Sequence, residues 1–293
     1  MRACPGAGYQ GRRARQIRSV GRARRVDGRI WPHCERHSRG RPGGRDEEGD
    51  RKVIITLDLC LRHGSHEILD GLNLHIEKGE FVFICGQAGS GKTSLLRTLV
   101  LERMPAAGRI IVDGRDITEI TGRSIAEYRR GLGIVFQDDF LLPRHSLVEN
   151  IALALEIAGW RSSDARGEAL VYLRDVGLSN KADLFPRQVS ENEKQMVKIC
   201  RAVARRPKIV LADEPYEGLD WQSIQKVADL FRNANLRGST AVIATHHVEF
   251  AQLAGKRSIM LDQPSFKRMA KASGSESRPR TADELAGRLH SGS

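Results

Sequence analysis

Gly86-Gln87-Ala88-Gly89-Ser90-Gly91-Lys92-Thr93 follows the apolar run Phe81 to Cys85 and precedes Ser94-Leu95-Leu96-Arg97. A Gly-rich turn between a strand and a helix, closed by a lysine and a hydroxyl residue, is a phosphate-binding loop. Glycines let successive backbone N–H groups converge on phosphate oxygens, and the following helix adds its positive N-terminal end. In that role Gly86 to Ser94 cradle a nucleotide, Lys92 bridges the β- and γ-phosphates, and Thr93 ligates Mg²⁺.

The pattern around the loop is α/β. Short apolar runs predict strands at Val53 to Leu59, Leu72 to Ile76, Arg109 to Asp113 and Gly133 to Gln137, with Glu77-Lys78-Gly79-Glu80 turning a hairpin into the strand that precedes the loop. The Leu95, Leu96, Leu99 and Val100 spacing predicts a helix with one buried face. Residues 144–190 differ in kind: Ser146 and Glu149 form a capping box opening a helix through Ile157, and a second helix runs from near Ser163 to a left-handed cap at Gly177. A helix over about Asn192 to Arg205, the strand Ile209 to Asp213, a helix over Trp221 to Asn235 and the strand Thr240 to Ala244 follow. Strands alternating with helices imply a mainly parallel sheet with its chemistry at the carboxyl ends of the strands.

Composition bounds the rest. A chain of 293 residues holds one large domain with tails. No run approaches the ~20 apolar residues that span a bilayer, so membrane association is expected through a partner. Five cysteines without a CxxC pair suit a reducing, cytosolic setting. The net charge of +12 is concentrated at the start, where residues 1–50 carry 13 Arg against 6 acidic residues. Residues 1–51 read as a disordered basic extension: an arm for anionic lipid or RNA, a presequence, or a translation start set too early, since no Met lies between Met1 and Met104. No function is assigned to it. Residues 52–264 are the folded domain, and 265–293 a second polar tail.

Two acids after four apolar residues, Ile209 to Glu214, give a buried strand whose end meets ligand. There Asp213 serves the Mg²⁺ shell and Glu214 polarises the water that attacks the γ-phosphate. Gln137, at a strand end bordering the helical insert, is placed to touch both metal and water and to report nucleotide state to the insert. His246, at the end of the strand Ala241 to Thr245, is a γ-phosphate partner, with His247 the competing candidate.

Phosphate loop, Gln137, helical insert, Ser190, Asp213-Glu214, Gly218-Leu219-Asp220 and His246 come in an order that resembles the ATP-binding cassette (ABC) family of ATPases, over residues 53 to about 262. Phe136-Gln137-Asp138, Leu141-Leu142-Pro143, Val148 to Ala152 and Lys181 to Gln188 resemble its cell-division branch. The resemblance implies a P-loop fold with a mainly parallel core, an antiparallel β subdomain and an inserted helical subdomain. It implies ATP with Mg²⁺, and a head-to-tail pair of cassettes, a homodimer in the simplest case, in which one subunit's phosphate loop and the other's signature segment share each ATP. It further implies a polytopic membrane permease as partner, no specific nucleic acid, and a place on the cytoplasmic face of the bacterial inner membrane. Lipoprotein-release and macrolide-export ATPases share several of the segments.

The chain departs from the family at three points. The signature, usually Leu-Ser-Gly-Gly then Gln or Glu, is here Val189-Ser190-Glu191-Asn192-Glu193. Side chains replace both glycines, and Glu191 adds a charge that repels phosphate by about 3 kcal/mol at ~5 Å and an effective dielectric of ~20 unless it turns outward. His63 stands where an aromatic ring usually stacks on adenine. Tyr216 replaces a small hydroxyl residue. Together they raise the alternative of a slow, ATP-gated scaffold with reduced activity.

Overall fold

A computed structural model describes residues 52–261, without the side chain of Leu253. The readings of 1–51 and 265–293 as tails fall outside the described residues.

Two sheets carry the architecture. A five-stranded parallel sheet runs β6 (Leu132–Val135), β7 (Ile209–Asp213), β8 (Thr240–Thr245), β3 (Phe81–Cys85), β9 (Arg257–Met260). An antiparallel sheet runs β2 (His66–Glu77), β1 (Lys52–His63), β4 (Ala107–Val112), β5 (Arg115–Asp116). The hairpin expected at Glu77 to Glu80 is therefore corrected. The turn is present, Glu80 N–H donating to Glu77 C=O at 3.1 Å, but the strands it joins belong to different sheets. β2 pairs with β1, while β3 is fully buried between β8 and β9, a place that an apolar pentapeptide fits and the alternating β2 does not.

Period-two alternation makes the parallel sheet a wall between two cores. Phe81, Phe83, Cys85, Val210, Ala212, Ala241 and Ile243 face one side, against α3 (Leu147–Ile157), α4 (Ser162–Asp175), α5 (Glu191–Ala204) and α6 (Trp221–Leu236). Val82, Ile84, Ile209, Leu211, Val242 and Ala244 face the other, against α1 (Lys92–Leu99) and the antiparallel sheet. Leu95, Leu96 and Leu99 of α1 lie inside this second core, and each such burial is worth about 1.5–3 kcal/mol. The expected capping box at Ser146 and Glu149 opens α3, and Gly177 takes the left-handed conformation that ends α4 (φ 80°). The insert is helical as the pattern required. The sequence pattern does not mark α2 (Arg123–Arg130), which buries no residue fully, α7 (Val248–Ala254), the two-residue β5 or the exposed edge strand β9.

Candidate active site

The phosphate loop leaves β3 and enters α1 through Gly91, whose φ of 97° is the left-handed geometry that favours glycine. A Cβ there would lie 2.8 Å from Ile68 Cγ2, so β2 closes directly over the loop. A Cβ on Gly86 would come within 2.5 Å of Ser90 Oγ and 2.7 Å of the Leu261 carbonyl oxygen. Both positions are glycine because neighbours already fill the space. Lys92 folds back into the loop, its Nζ donating to the carbonyls of Gly86 (2.7 Å) and Gln87 (3.1 Å).

The adjacent strand ends bring the other candidates to the same place. Asp213, the last residue of β7, is buried, and its Oδ1 has no hydrogen-bond partner. Burial raises its carboxyl above the usual carboxylate range, against the hydrogen bond from Thr93 that lowers it. Glu214 follows with φ 45°, an uncommon conformation for a residue with a Cβ, held by its N–H donating to the Ala244 carbonyl at 2.9 Å. Glu214 Oε1 lies 3.9 Å from Lys92 Nζ and 2.9 Å from His246 Nδ1. Residues from three segments thus meet at the carboxyl ends of β3, β7 and β8. His247 stacks beside His246, with ring centroids 4.0 Å apart, but packs on Phe250. Of the two histidines, His246 is the one that meets Glu214.

The donor set suits Mg²⁺. A buried carboxylate oxygen without a partner, a threonine hydroxyl on the same carboxylate and the buried, unpartnered Ser90 Oγ are hard oxygen ligands beside a phosphate cradle. Among the described residues no three His, Cys, Asp or Glu side chains form a metal cage. Mg²⁺ needs none, since it takes one or two protein oxygens and completes its shell with phosphate and water.

The loop after β6 ties the site to the helical insert. Gln137 is exposed, one residue beyond buried Phe136, and its Nε2 donates to the Glu217 carboxylate. Asp138 accepts from Arg97 of α1 at 2.6 Å, and Asp139 from Arg201 of α5 at 2.7 Å. Adjacent carboxylates are thus held from the phosphate-loop helix on one side and from α5, the helix that follows the insert, on the other. Sequence reasoning missed both arginines, because each lies on another element whose position only the fold reveals.

The altered signature segment opens α5. Ser190 is its N-cap in a capping box with Glu193, and Glu193 also pairs with Lys181 at 2.6 Å. Glu191 does turn outward: its side chain is 87% exposed and paired with Lys194 at 2.6 Å. Asn192 Nδ2 donates to Asp220 Oδ2 at 2.9 Å. Tyr216 is a core residue, buried against Phe231 and Phe250 with centroids 6.3 and 5.0 Å away. His63 is exposed at the tip of the β1–β2 hairpin, the hairpin whose Ile68 abuts Gly91.

Comparison with known proteins assigns the class this geometry defines. The family model for the ABC transporter matches residues 69–217, and the chain belongs to that family as an ATPase domain of the P-loop fold. It is 39% identical over 202 residues to the cell division ATP-binding protein FtsE of Haemophilus influenzae, covering 69% of this chain and 93% of that protein. To FtsE of Bacillus subtilis it is 37% identical over 194 residues, 66% of this chain and 85% of that protein. The methionine import ATP-binding protein MetN 1 of Paraburkholderia xenovorans is 38% identical over 200 residues, 68% of this chain and 58% of that protein. Among solved structures, the dimeric post-hydrolysis state of the ATP-binding cassette MJ0796 bound to ADP and phosphate superposes with TM-score 0.66 at 31% identity, covering 72% of this chain and 94% of that one.

Proposed function

We propose that the chain is the ATP-hydrolysing subunit of an FtsE-like complex, coupling its nucleotide cycle through a polytopic, FtsX-like permease to bacterial cell division and control of wall hydrolases. The observation that carries the ATPase half is Glu214, whose carboxylate reaches both Lys92 and His246 beside the unpartnered oxygen of Asp213.

In this reading Gly86 to Ser94 hold the phosphates of ATP, with Lys92 leaving its carbonyl partners for the β- and γ-oxygens. His63 lies against adenine. Thr93, Asp213 and Gln137 would hold Mg²⁺, which when bound would neutralise charge developing on the phosphates. Glu214 accepts the proton of the attacking water, and His246 orients Glu214 and meets the γ-phosphate. Ser190 to Glu193 of a second copy close over the nucleotide, giving a homodimer with two shared sites.

The partner half draws on the FtsE relatives and on a surface. Phe140 (79% exposed), Leu142 (39%) and Phe185 (37%) are large apolar side chains left in solvent. Leu142 is fixed by Asn150 of α3, and Leu147 N–H of α3 donates to the carbonyl of Leu184, next to Phe185. These residues therefore border one end of α3, beside the loop that begins at Gln137. Among the described residues no helix is long and apolar enough to cross a membrane. A permease seated on this patch would hold the chain at the cytoplasmic face of the inner membrane.

Purified protein with Mg-ATP should release phosphate, and Glu214→Gln should stop release while trapping an ATP-bound dimer. Absence of turnover by the wild type with its permease present sinks the ATPase reading. The MetN relatives support a second reading, the ATPase of a solute transporter, with lipoprotein-release and macrolide-export systems as further cases. Pull-down from membranes separates them by which polytopic protein follows the chain.

A further inference from the structure

All four side chains of segment 190–193 are engaged within their own subunit. Ser190 Oγ accepts from Glu193 N–H at 3.3 Å, Glu193 reaches Lys181, Glu191 reaches Lys194, and Asn192 reaches Asp220. Two of these partners offset the departures from glycine. Lys194 draws the Glu191 carboxylate along the helix, and with Lys198 it holds that carboxyl below its usual range. Asp220 draws the Asn192 amide sideways toward α6, and it is a stiff anchor because its other oxygen caps that helix, accepting from Ser223 N–H at 2.8 Å. Asn192 Oδ1 is buried with no partner, so the atom that would repel a phosphate is turned away from solvent.

We infer that Lys194 and Asp220 are positioning residues that hold Glu191 and Asn192 clear of the start of α5, so that a signature segment without glycines still closes on nucleotide bound by a second copy. The inference rests on the shared-site reading proposed above. Glycine leaves the helix N-terminus open by having no side chain. Here the same opening is reached by tethering the side chains that are present, which keeps the positive end of the helix available to an anion. Released from Lys194, the Glu191 carboxylate would return its charge to the region that the second subunit's phosphates must enter.

The test uses the full chain with Mg-ATP, and scores both turnover and ATP-driven dimerisation. Lys194→Gln should lower both by about tenfold, the effect of one unit charge at ~10 Å and an effective dielectric of ~20. Lys194→Arg should keep them, and adding Glu191→Gln to Lys194→Gln should restore them. Asn192→Asp, which sets a carboxylate against Asp220, should lose as much. Melting temperature should stay within a few degrees throughout, because an exposed i,i+3 pair adds little to stability. An unchanged Lys194→Gln, or a double variant as impaired as Lys194→Gln alone, overturns the inference. Dimerisation in a Glu214→Gln background scores the tethers without hydrolysis. An inactive wild type that still dimerises with ATP would thus overturn the ATPase reading and leave the tethers decided by the variants.

Discussion

His246 Nδ1 lies 2.9 Å from Glu214 Oε1, the same oxygen that Lys92 Nζ approaches at 3.9 Å. In the proposed cycle the imidazole would therefore act on the acid as well as on the phosphate. His246→Ala is expected to lower kcat by about 10²–10⁴ with a smaller change in KM, because removing an orienting group costs mainly the chemical step. Steady-state phosphate release measures the split.

Gly91 should not tolerate a side chain. Gly91→Ala combines the left-handed backbone with a 2.8 Å approach to Ile68, a penalty of about 1–3 kcal/mol. Thermal melting should show the loss, and nucleotide protection against melting should fall with it.

Tyr216 separates core from catalysis. Tyr216→Thr restores the hydroxyl of the relatives but empties the space between Phe231 and Phe250, at a cost of about 2–4 kcal/mol. Denaturant unfolding should report that loss. Faster hydrolysis without it would return Tyr216 to the list of catalytic departures.

Asp138 and Asp139 are predicted to carry coupling rather than stability. Arg97 and Arg201 hold them at 2.6 and 2.7 Å, and partly exposed pairs contribute at most about 1 kcal/mol. Asp138→Asn and Asp139→Asn should each fold normally, yet reduce the stimulation of turnover by the permease in reconstituted vesicles.

Acid should loosen the N-terminal ends of α3 and α5. Hydrogen bonds from Ser146 hold the Glu149 carboxyl below its usual range, and Lys181 does the same for Glu193. A carboxylate depressed in the folded state adds stability above its unfolded value of about 4.3, and that stability disappears as pH falls through the folded value. Helical content followed by circular dichroism should therefore drop below about pH 4. Glu149→Gln and Glu193→Gln should start lower in stability and change less over that range.

What the sequence makes legible follows from periodicity and special backbone. Phe81 to Cys85, Ile209 to Asp213 and Thr240 to Thr245 read as buried strands because every position is apolar until the end. The phosphate loop reads because no other residue types fit it. The helix α2 sets only Ile125 and Tyr128, both partly buried, among charged and small residues, and the edge strand β9 is mostly exposed, so neither produces a buried stripe to detect. The partners Arg97, Arg201, Lys194 and Asp220 are ordinary surface charges until the chain is folded, since what matters is which carboxylate or amide each meets. The turn at Glu77 to Glu80 misleads for a related reason. Its local chemistry is that of a hairpin, while the choice of sheet is made by β1, the hairpin partner of β2, and by β8 and β9, far along the chain from β3.

The position of β3 has a consequence for biosynthesis. The strand that carries the phosphate loop is among the first elements to leave the ribosome, but both of its neighbours, β8 and β9, are among the last. Until then an apolar pentapeptide and its glycine loop have no parallel sheet to join, the kind of unpaired strand that invites aggregation in a nascent chain. A chain cut short before residue 240 should therefore be unable to hold nucleotide, so unfinished copies should not compete with complete ones for ATP.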